Sequence, residues 1–360
     1  MKDAISRSKN NYLTGTKTLL IGRCQVEELL SMAEAIKGVE KAFLLKAQGK
    51  TVMPPKVYLT LTAYQGDFRA MPAYVDESAG VKWVSVYPDN RRCNLPTVLA
   101  TIILSDPETG YPLAIIDGTY ITSLRTGAAG AVAVKYLARK DAATIGMIGA
   151  GKQAETQLLA IGEVVPEIEE VKVFDIDGNA ATRYAEKMRA KLKLTICPVA
   201  TIEAAAAADI VVTTTPSREP IVKQEYICPG THINAIGADA AGKQELELGL
   251  LAMAKVVVDD LEQASHSGEI NVPLSEGKMK IDQIYGSLGE VVAGSKKGRE
   301  NDEEITIFDA TGLAIQDIIC AKLVYEKARG KDVPAFGFLA QSKLTIHRDT
   351  PVFDKLSDGL

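Results

Sequence analysis

Histidine is nearly missing from this 360-residue chain, and its three copies, His232, His266 and His347, share no metal-ligand spacing. Neither a zinc hydrolase nor a Ser-His-Asp hydrolase is expected from such a set, and no metal is expected. The five cysteines (Cys24, Cys93, Cys197, Cys228, Cys320) are scattered, odd in number and never arranged as C-x-x-C, so they read as buried thiols of a reducing compartment. No apolar segment reaches about 18 residues without interruption, and the first fifteen residues are polar rather than signal-like, so a cytoplasmic protein without a membrane partner is expected. Basic charge is not in excess either: 41 Lys and Arg stand against 46 Asp and Glu, a net charge of −5. That balance argues against nucleic acid as a partner. Hydrophobic content of 46% with 24% charged residues describes an ordinary soluble chain, long enough for two domains.

The strongest positive signal is the stretch Ala143-Thr144-Ile145-Gly146-Met147-Ile148-Gly149-Ala150-Gly151-Lys152-Gln153-Ala154. An apolar run suited to a buried parallel strand stops at Gly149-x-Gly151-x-x-Ala154, and Glu155 to Ile161 then has helical character. In a dinucleotide-binding unit the first glycine permits the turn and the second lets a pyrophosphate approach the backbone, while a small third residue lets helix pack on strand. Free N–H groups at the helix start hold the phosphates. The next strand, Val171 to Phe174, delivers Asp175 roughly 20 residues on, where the acid that accepts the ribose hydroxyls stands. Such an acid favours NAD over NADP, although a strand-end Asp also caps helices.

Along the chain, Thr18 to Ile21 reads as a strand and Gln25 to Gln48 as one helix, with Leu29, Met32, Ile36, Val39 and Phe43 at helical spacing. Pro54 and Pro55 bar helix and favour an edge position for the strand that follows. Lys56 to Thr62, Phe68 to Tyr74, Val81 to Tyr87, Thr97 to Ser105 and Leu113 to Ile116 then form a mostly antiparallel sheet, with Asp106 to Gly110 as a hairpin turn. The small-residue helix Thr119 to Ala138 suits close packing at a domain junction. Beyond it, strands (194–199, 209–214, 231–236, 255–259, 305–308) alternate with helices (179–190, 201–207, 312–327). That pattern means a doubly wound parallel sheet, so the fold class is α/β, a Rossmann domain beside a β-rich domain.

Three cations and one acid could carry chemistry. Lys82 sits inside the apolar run Val81-Lys82-Trp83-Val84. Burial beside another cation would depress its pKa, whereas strand alternation could turn it to solvent. Lys56 and Arg125 stand near element ends, and three such cations would make a carboxylate site. Asp239 lies just past a strand at the carboxyl edge of the parallel sheet, where ligands of doubly wound folds bind; it is a candidate general base or a turn residue.

These residues together resemble the ornithine cyclodeaminase and mu-crystallin family. The resemblance rests on Lys82-Trp83-Val84-x-x-x-Pro88-x-Asn90, Thr122-x-x-Arg125-Thr126-x-Ala128-Ala129, Gly149-x-Gly151-x-Gln153 and Gly237-x-Asp239-x-x-Gly242-Lys243-x-Glu245-Leu246. Gly268-Glu269-Ile270 and Phe308-Asp309-x-x-Gly312 extend it, in order, from Thr18 to about Lys327. It implies a homodimer in which residues 1–138 with 328–360 form the substrate and dimerisation domain and 139–327 the NAD domain. It further implies Lys56, Lys82 and Arg125 as substrate-carboxylate ligands and Asp239 as the catalytic acid/base, while a buried Lys82 with a depressed pKa is itself usable in proton transfer. Gly149, Gly151, Gln153, Ala154, Asp175, Thr126, Thr214 and Gly237 are implied as the cofactor site. Where cyclodeaminases carry a Glu two positions before Met-Pro, this chain has Arg69, which would repel a distal ammonium if it faces the pocket. The segments Met53 to Leu59 and Arg69 to Tyr74 look like those of archaeal-type alanine dehydrogenases. The expected activity is therefore interconversion of a small L-amino acid, alanine foremost, with its 2-oxo acid and ammonia. Ornithine cyclisation, reduction of a cyclic ketimine and a non-catalytic binding role are the alternatives.

Overall fold

The computed structural model describes residues 17–165 and 167–338. His347 and the rest of the expected C-terminal segment from 339 onward lie outside them, as do the first sixteen residues. The first sheet takes β1 (Thr18–Ile21), β2 (Val57–Leu61), β3 (Gly66–Val75), β4 (Ser78–Val86), β5 (Val98–Ser105) and β6 (Pro112–Asp117). The second takes β7 (Thr144–Ile148), β8 (Glu170–Phe174), β9 (Thr195–Pro198), β10 (Ile210–Thr213), β11 (His232–Ala235), β12 (Lys255–Val258), β13 (Gly286–Ser287) and β14 (Thr306–Asp309). The chain then returns to the first sheet as β15 (Ala335–Phe336), antiparallel to β1.

Helices α1 (Arg23–Leu29), α2 (Met32–Ala47) and α3 (Gly118–Leu137) belong to the first half. After them come α4 (Lys152–Gly162), α5 (Gly178–Leu192), α6 (Ile202–Ala206), α7 (Leu248–Met253), α8 (Leu261–Ser267), α9 (Asn271–Ser275), α10 (Leu288–Val292) and α11 (Ala314–Ala328). The expected single helix over 25–48 is two. Ser31 accepts from the Glu34 N–H while the Glu34 carboxylate accepts from the Ser31 N–H, a capping box that restarts the helix at Met32. The expectation of buried thiols also needs correction. Cys320 is buried, but Cys24, Cys93 and Cys228 are exposed and Cys197 is half-buried; all five are free.

The first sheet runs β15-β1-β6-β5-β4-β3-β2, so β2 after the double proline is an edge, and only β1 and β6 pair parallel. Its inner face carries α3 and α11, and α2 packs on both of those helices. The second sheet is wholly parallel in the order β13-β12-β14-β11-β10-β7-β8-β9. The chain leaves β7 one way through β8 and β9 and crosses back to β10, so the carboxyl ends of β7 and β10 open a crevice at the reversal.

The two sheets meet along α3 and α4. Gly127 and Gly130 on α3 let α4 come so close that an added Cβ would stand 2.4 Å from the Thr156 carbonyl oxygen and 2.0 Å from Gln157 Oε1, respectively. Gln157 then donates to the Thr126 carbonyl at 2.9 Å, and Asn234 of β11 donates to the Gly130 carbonyl at 3.2 Å. Gly127→Ala pushes α4 off its seat and should lower unfolding free energy by ~1–3 kcal/mol. Denaturant unfolding of the purified variant checks this, and a midpoint equal to the parent's would show that the junction yields.

Candidate active site

Strands β3, β4 and β5 and helix α3 converge with the start of α4 and the loops after β11 and β14 on one cavity of about 120 Å³. Lys56, Lys82, Arg125, Thr126, Gln153 and Asp239 all line it. The cavity adjoins a larger one of about 560 Å³, with Lys56 and Arg69 lining both.

The register explains the orientation of the cations. Lys82 on β4 pairs with Met71 on β3 and with Ile102 on β5, and opposed residues share a face, so Lys82 points inward with two apolar partners while Trp83 points out. Lys82 is only 1% exposed. Burial and the Arg125 charge bring its ammonium down to about 7, against the opposing pull of Asp317. Arg69 lies opposite Val84 on that same inner face. It is not turned outward: its guanidinium is 2.7 Å from Asp67 and 3.1 Å from Asp239, with the Tyr58 ring beneath it at 5.2 Å. Lys56 donates to the Thr311 carbonyl at 2.7 Å, and burial lowers it to about 8 although Asp259 resists.

Asp239 follows β11 and is held by two cations, Lys243 at 2.6 Å and Arg69 at 3.1 Å. Burial raises its carboxyl, yet Lys243 and Arg69 outweigh burial and keep it at about 2, so it is ionised in this arrangement. Its side chain is 36% exposed and open to the cavity.

The remaining expected residues gather at the crevice. Gly149 has φ +97°, and a Cβ there would strike Thr214 Oγ1 at 2.7 Å, so Gly149 and Thr214 serve each other's packing. Ala154 is fully buried, and its carbonyl accepts the Tyr184 hydroxyl. Gly237 is demanded by packing, since a Cβ would stand 2.1 Å from the Thr215 carbonyl oxygen. Gly151 differs: nothing in the protein lies within 4 Å of its Cβ position, and no side chain caps the helix it begins. A glycine without an internal reason, next to uncapped helix N–H groups, fits the close approach of a phosphate-bearing ligand. Asp175 ends β8 and accepts from the N–H groups of Ala150 at 2.8 Å and Asp177 at 2.9 Å. Each carboxylate oxygen keeps a lone pair for a hydroxyl donor. These residues together fit a dinucleotide.

Sequence reasoning missed Asp317 of α11. It is fully buried, 2.7 Å from Lys82 and 2.9 Å from Arg125, and Gln316 accepts from Arg125 at 3.2 Å. The signal was a polar pair, Gln316-Asp317, inside the apolar run Leu313 to Cys320, the same kind of anomaly that marked Lys82.

The profile of the ornithine cyclodeaminase/mu-crystallin family matches residues 16–332, and the chain belongs to that family. It is 53% identical over 318 residues to an alanine dehydrogenase of Archaeoglobus fulgidus, covering 88% of this chain and 97% of that one. Among solved structures it resembles an archaeal alanine dehydrogenase dimer with bound NAD, with a TM-score of 0.86 and 52% identity over 89% of this chain and 99% of that one. It also resembles a Thermococcus litoralis Δ1-pyrroline-2-carboxylate reductase in complex with NADH and L-proline, with a TM-score of 0.84 and 46% identity over 86% and 97%.

The open space at Gly151 yields a direct expectation. Gly151→Ala should fold with stability within about 1 kcal/mol of the parent, because the methyl meets no protein atom. Dinucleotide affinity, read by calorimetric titration, should fall about tenfold or more. Unchanged affinity would mean that no ligand backbone comes near this residue.

Proposed function

We propose that this chain is an NAD-dependent oxidoreductase that interconverts a small L-amino acid, alanine foremost, with its 2-oxo acid and ammonia through an imine. The observation that carries the reading is the meeting of Lys56, Lys82 and Arg125 in one cavity that also holds Asp239 and the Gln153 side chain, at the start of the uncapped helix α4. The likeness to the archaeal alanine dehydrogenases supports it.

When bound, NAD supplies or accepts the hydride. Lys82 and Arg125 hold the substrate carboxylate, Arg125 with a planar fork of donors and Lys82 with a compact charge; Lys56 adds a second ammonium. In the reducing direction ammonia adds to the carbonyl carbon, water leaves, and a hydride and a proton convert the C=N bond to the amine. In the oxidising direction water adds to the imine carbon and ammonia leaves. Asp239 and Lys82 are the groups placed to exchange those protons. Lys82, near neutrality, suits transfer at working pH, whereas Asp239 takes up a proton only when Lys243 and Arg69 loosen their hold on it.

Arg69, inward and beside Asp239, opposes a substrate with a distal ammonium and so weighs against ornithine cyclisation. Reduction of a cyclic imine is the second reading, favoured by the likeness to the pyrroline-2-carboxylate reductase, since such a substrate brings the same carboxylate and the same C=N bond. Assembly is read as a homodimer. The outer face of the first sheet leaves Val57, Leu59, Trp83, Leu99 and Ile103 between 38% and 64% exposed, an apolar surface that a second copy would cover. No helix among the described residues is long and apolar enough to cross a membrane, and a cytoplasmic location belongs to the same reading.

NADH oxidation with pyruvate plus ammonium, compared with a cyclic ketimine carboxylate, separates the two readings; no turnover with any 2-oxo acid would refute the first. In the active assay Asp239→Asn should lower turnover by ~10²–10⁴ with cofactor affinity kept. For the cofactor, Asp175 opposes a 2′-phosphate, so NAD should bind at least about tenfold more tightly than NADP, roughly 1.4 kcal/mol. Titration of each cofactor against tryptophan fluorescence measures the ratio, and equal affinities would remove Asp175 from the ribose site.

A further inference from the structure

Lys82 of β4 and Arg125 of α3 reach the cavity from different elements, and both turn toward the same acid on a third. Asp317 of α11 offers Oδ2 to Lys82 Nζ at 2.7 Å and Oδ1 to Arg125 Nε at 2.9 Å, and it is not itself among the residues lining the cavity. Lys82, Arg125 and Asp317 are all at least 95% buried. Two buried cations without an acid between them would repel each other and lose their water for nothing in return. With one shared carboxylate the triad keeps a single net positive charge, and an incoming substrate carboxylate brings it to neutrality.

We infer that Asp317 is a positioning residue: it holds the Lys82 ammonium and the Arg125 guanidinium at the spacing a substrate carboxylate needs, and it keeps Lys82 charged. The inference rests on reading Lys82 and Arg125 as carboxylate ligands. Gln316, next in the helix, takes Arg125 Nη1 at 3.2 Å, which fixes the plane of the guanidinium while Asp317 fixes its edge. The other charged groups around Lys82 are Lys56 from the segment before β2, Arg69 from β3 and Asp239 from the loop after β11. Lys56, Arg69 and Arg125 disfavour the charged lysine. Asp239 is neutralised by Lys243 and Arg69, so Asp317 is the close acid that opposes them. Without it, burial and the neighbouring cations strip the proton, and the cavity loses an anion ligand at neutral pH.

The test uses full-length protein labelled with 13C at lysine Cε, with the Lys82 resonance assigned by its loss in Lys82→Met. In Asp317→Asn the Lys82 titration should move to lower pH by about one unit or more. The alkaline limb of kcat/KM for the 2-oxo acid should move with it, while kcat at the acid end stays within a few-fold of the parent. A Lys82 titration unchanged in Asp317→Asn overturns the inference. A shifted titration in a protein that turns over neither 2-oxo acids nor cyclic imines supports the role of Asp317 and refutes the proposed activity instead. Should Asp317→Asn fail to fold, Asp317→Glu keeps the charge but displaces it by one methylene. KM for the 2-oxo acid should then rise about tenfold with kcat nearly kept, and an unchanged KM overturns the positioning role.

Discussion

Like charges do not gather in a small cavity unless something holds them there. The four cations lining this one, Lys56, Lys82, Arg69 and Arg125, would drive one another apart in a low-dielectric interior. Lys82 and Arg125 share Asp317 on α11, Arg69 is held by Asp67 on its own strand and by Asp239 after β11, and Lys56 donates to the Thr311 carbonyl, whose own residue is gripped by Asp259. The cavity is thus the place where the layer of the first sheet and the loops of the second are ionically tied, and the fold cannot be separated from the charge balance of its site.

A second set of carboxylates supports the loops from behind. Glu245 accepts from the N–H groups of Thr215 and Gly237 and from the hydroxyls of Thr213 and Thr215. Glu269 accepts from the N–H groups of Glu245 and Leu246, and Asp309 from those of Glu269 and Ile270. All three acids are completely buried. Burial pushes Asp309 up to about 8 and Glu269 well above the ordinary range, where the Glu245 charge adds to the rise. Their work is to satisfy backbone donors at the carboxyl ends of β10, β11 and β14, where a loop that must stay irregular would otherwise bury unpaired N–H groups.

What was legible in the sequence follows from local rules. The β7 turn into α4, the edge position of β2 after two prolines, and the hairpin at Asp106 to Gly110 each rest on residues within a few positions of one another. Lys82 was visible as a charge in an apolar strand, but its direction was not, because alternation yields two faces and only the pairing of β3 with β4 and β5 says which is inside. The same limit concealed Arg69. Asp317 was harder still, since its partners lie 235 and 192 positions away along the chain, a separation no periodicity reports. Helical spacing across 25–48 outweighed the Ser31-x-x-Glu34 signal that in fact divides the segment, and the short helices α7 to α10 are too brief to show a period.

In the proposed function this charge-balanced cavity holds a 2-oxo acid by its carboxylate so that hydride reaches the α-carbon. Supplying NADH deuterated at C4 together with pyruvate and ammonium, and analysing the product by mass spectrometry and proton NMR, tests it most directly. The expected product is L-alanine carrying one deuterium at Cα, delivered from a single face of the nicotinamide. Alanine formed without the label, or label recovered only in lactate, would contradict it.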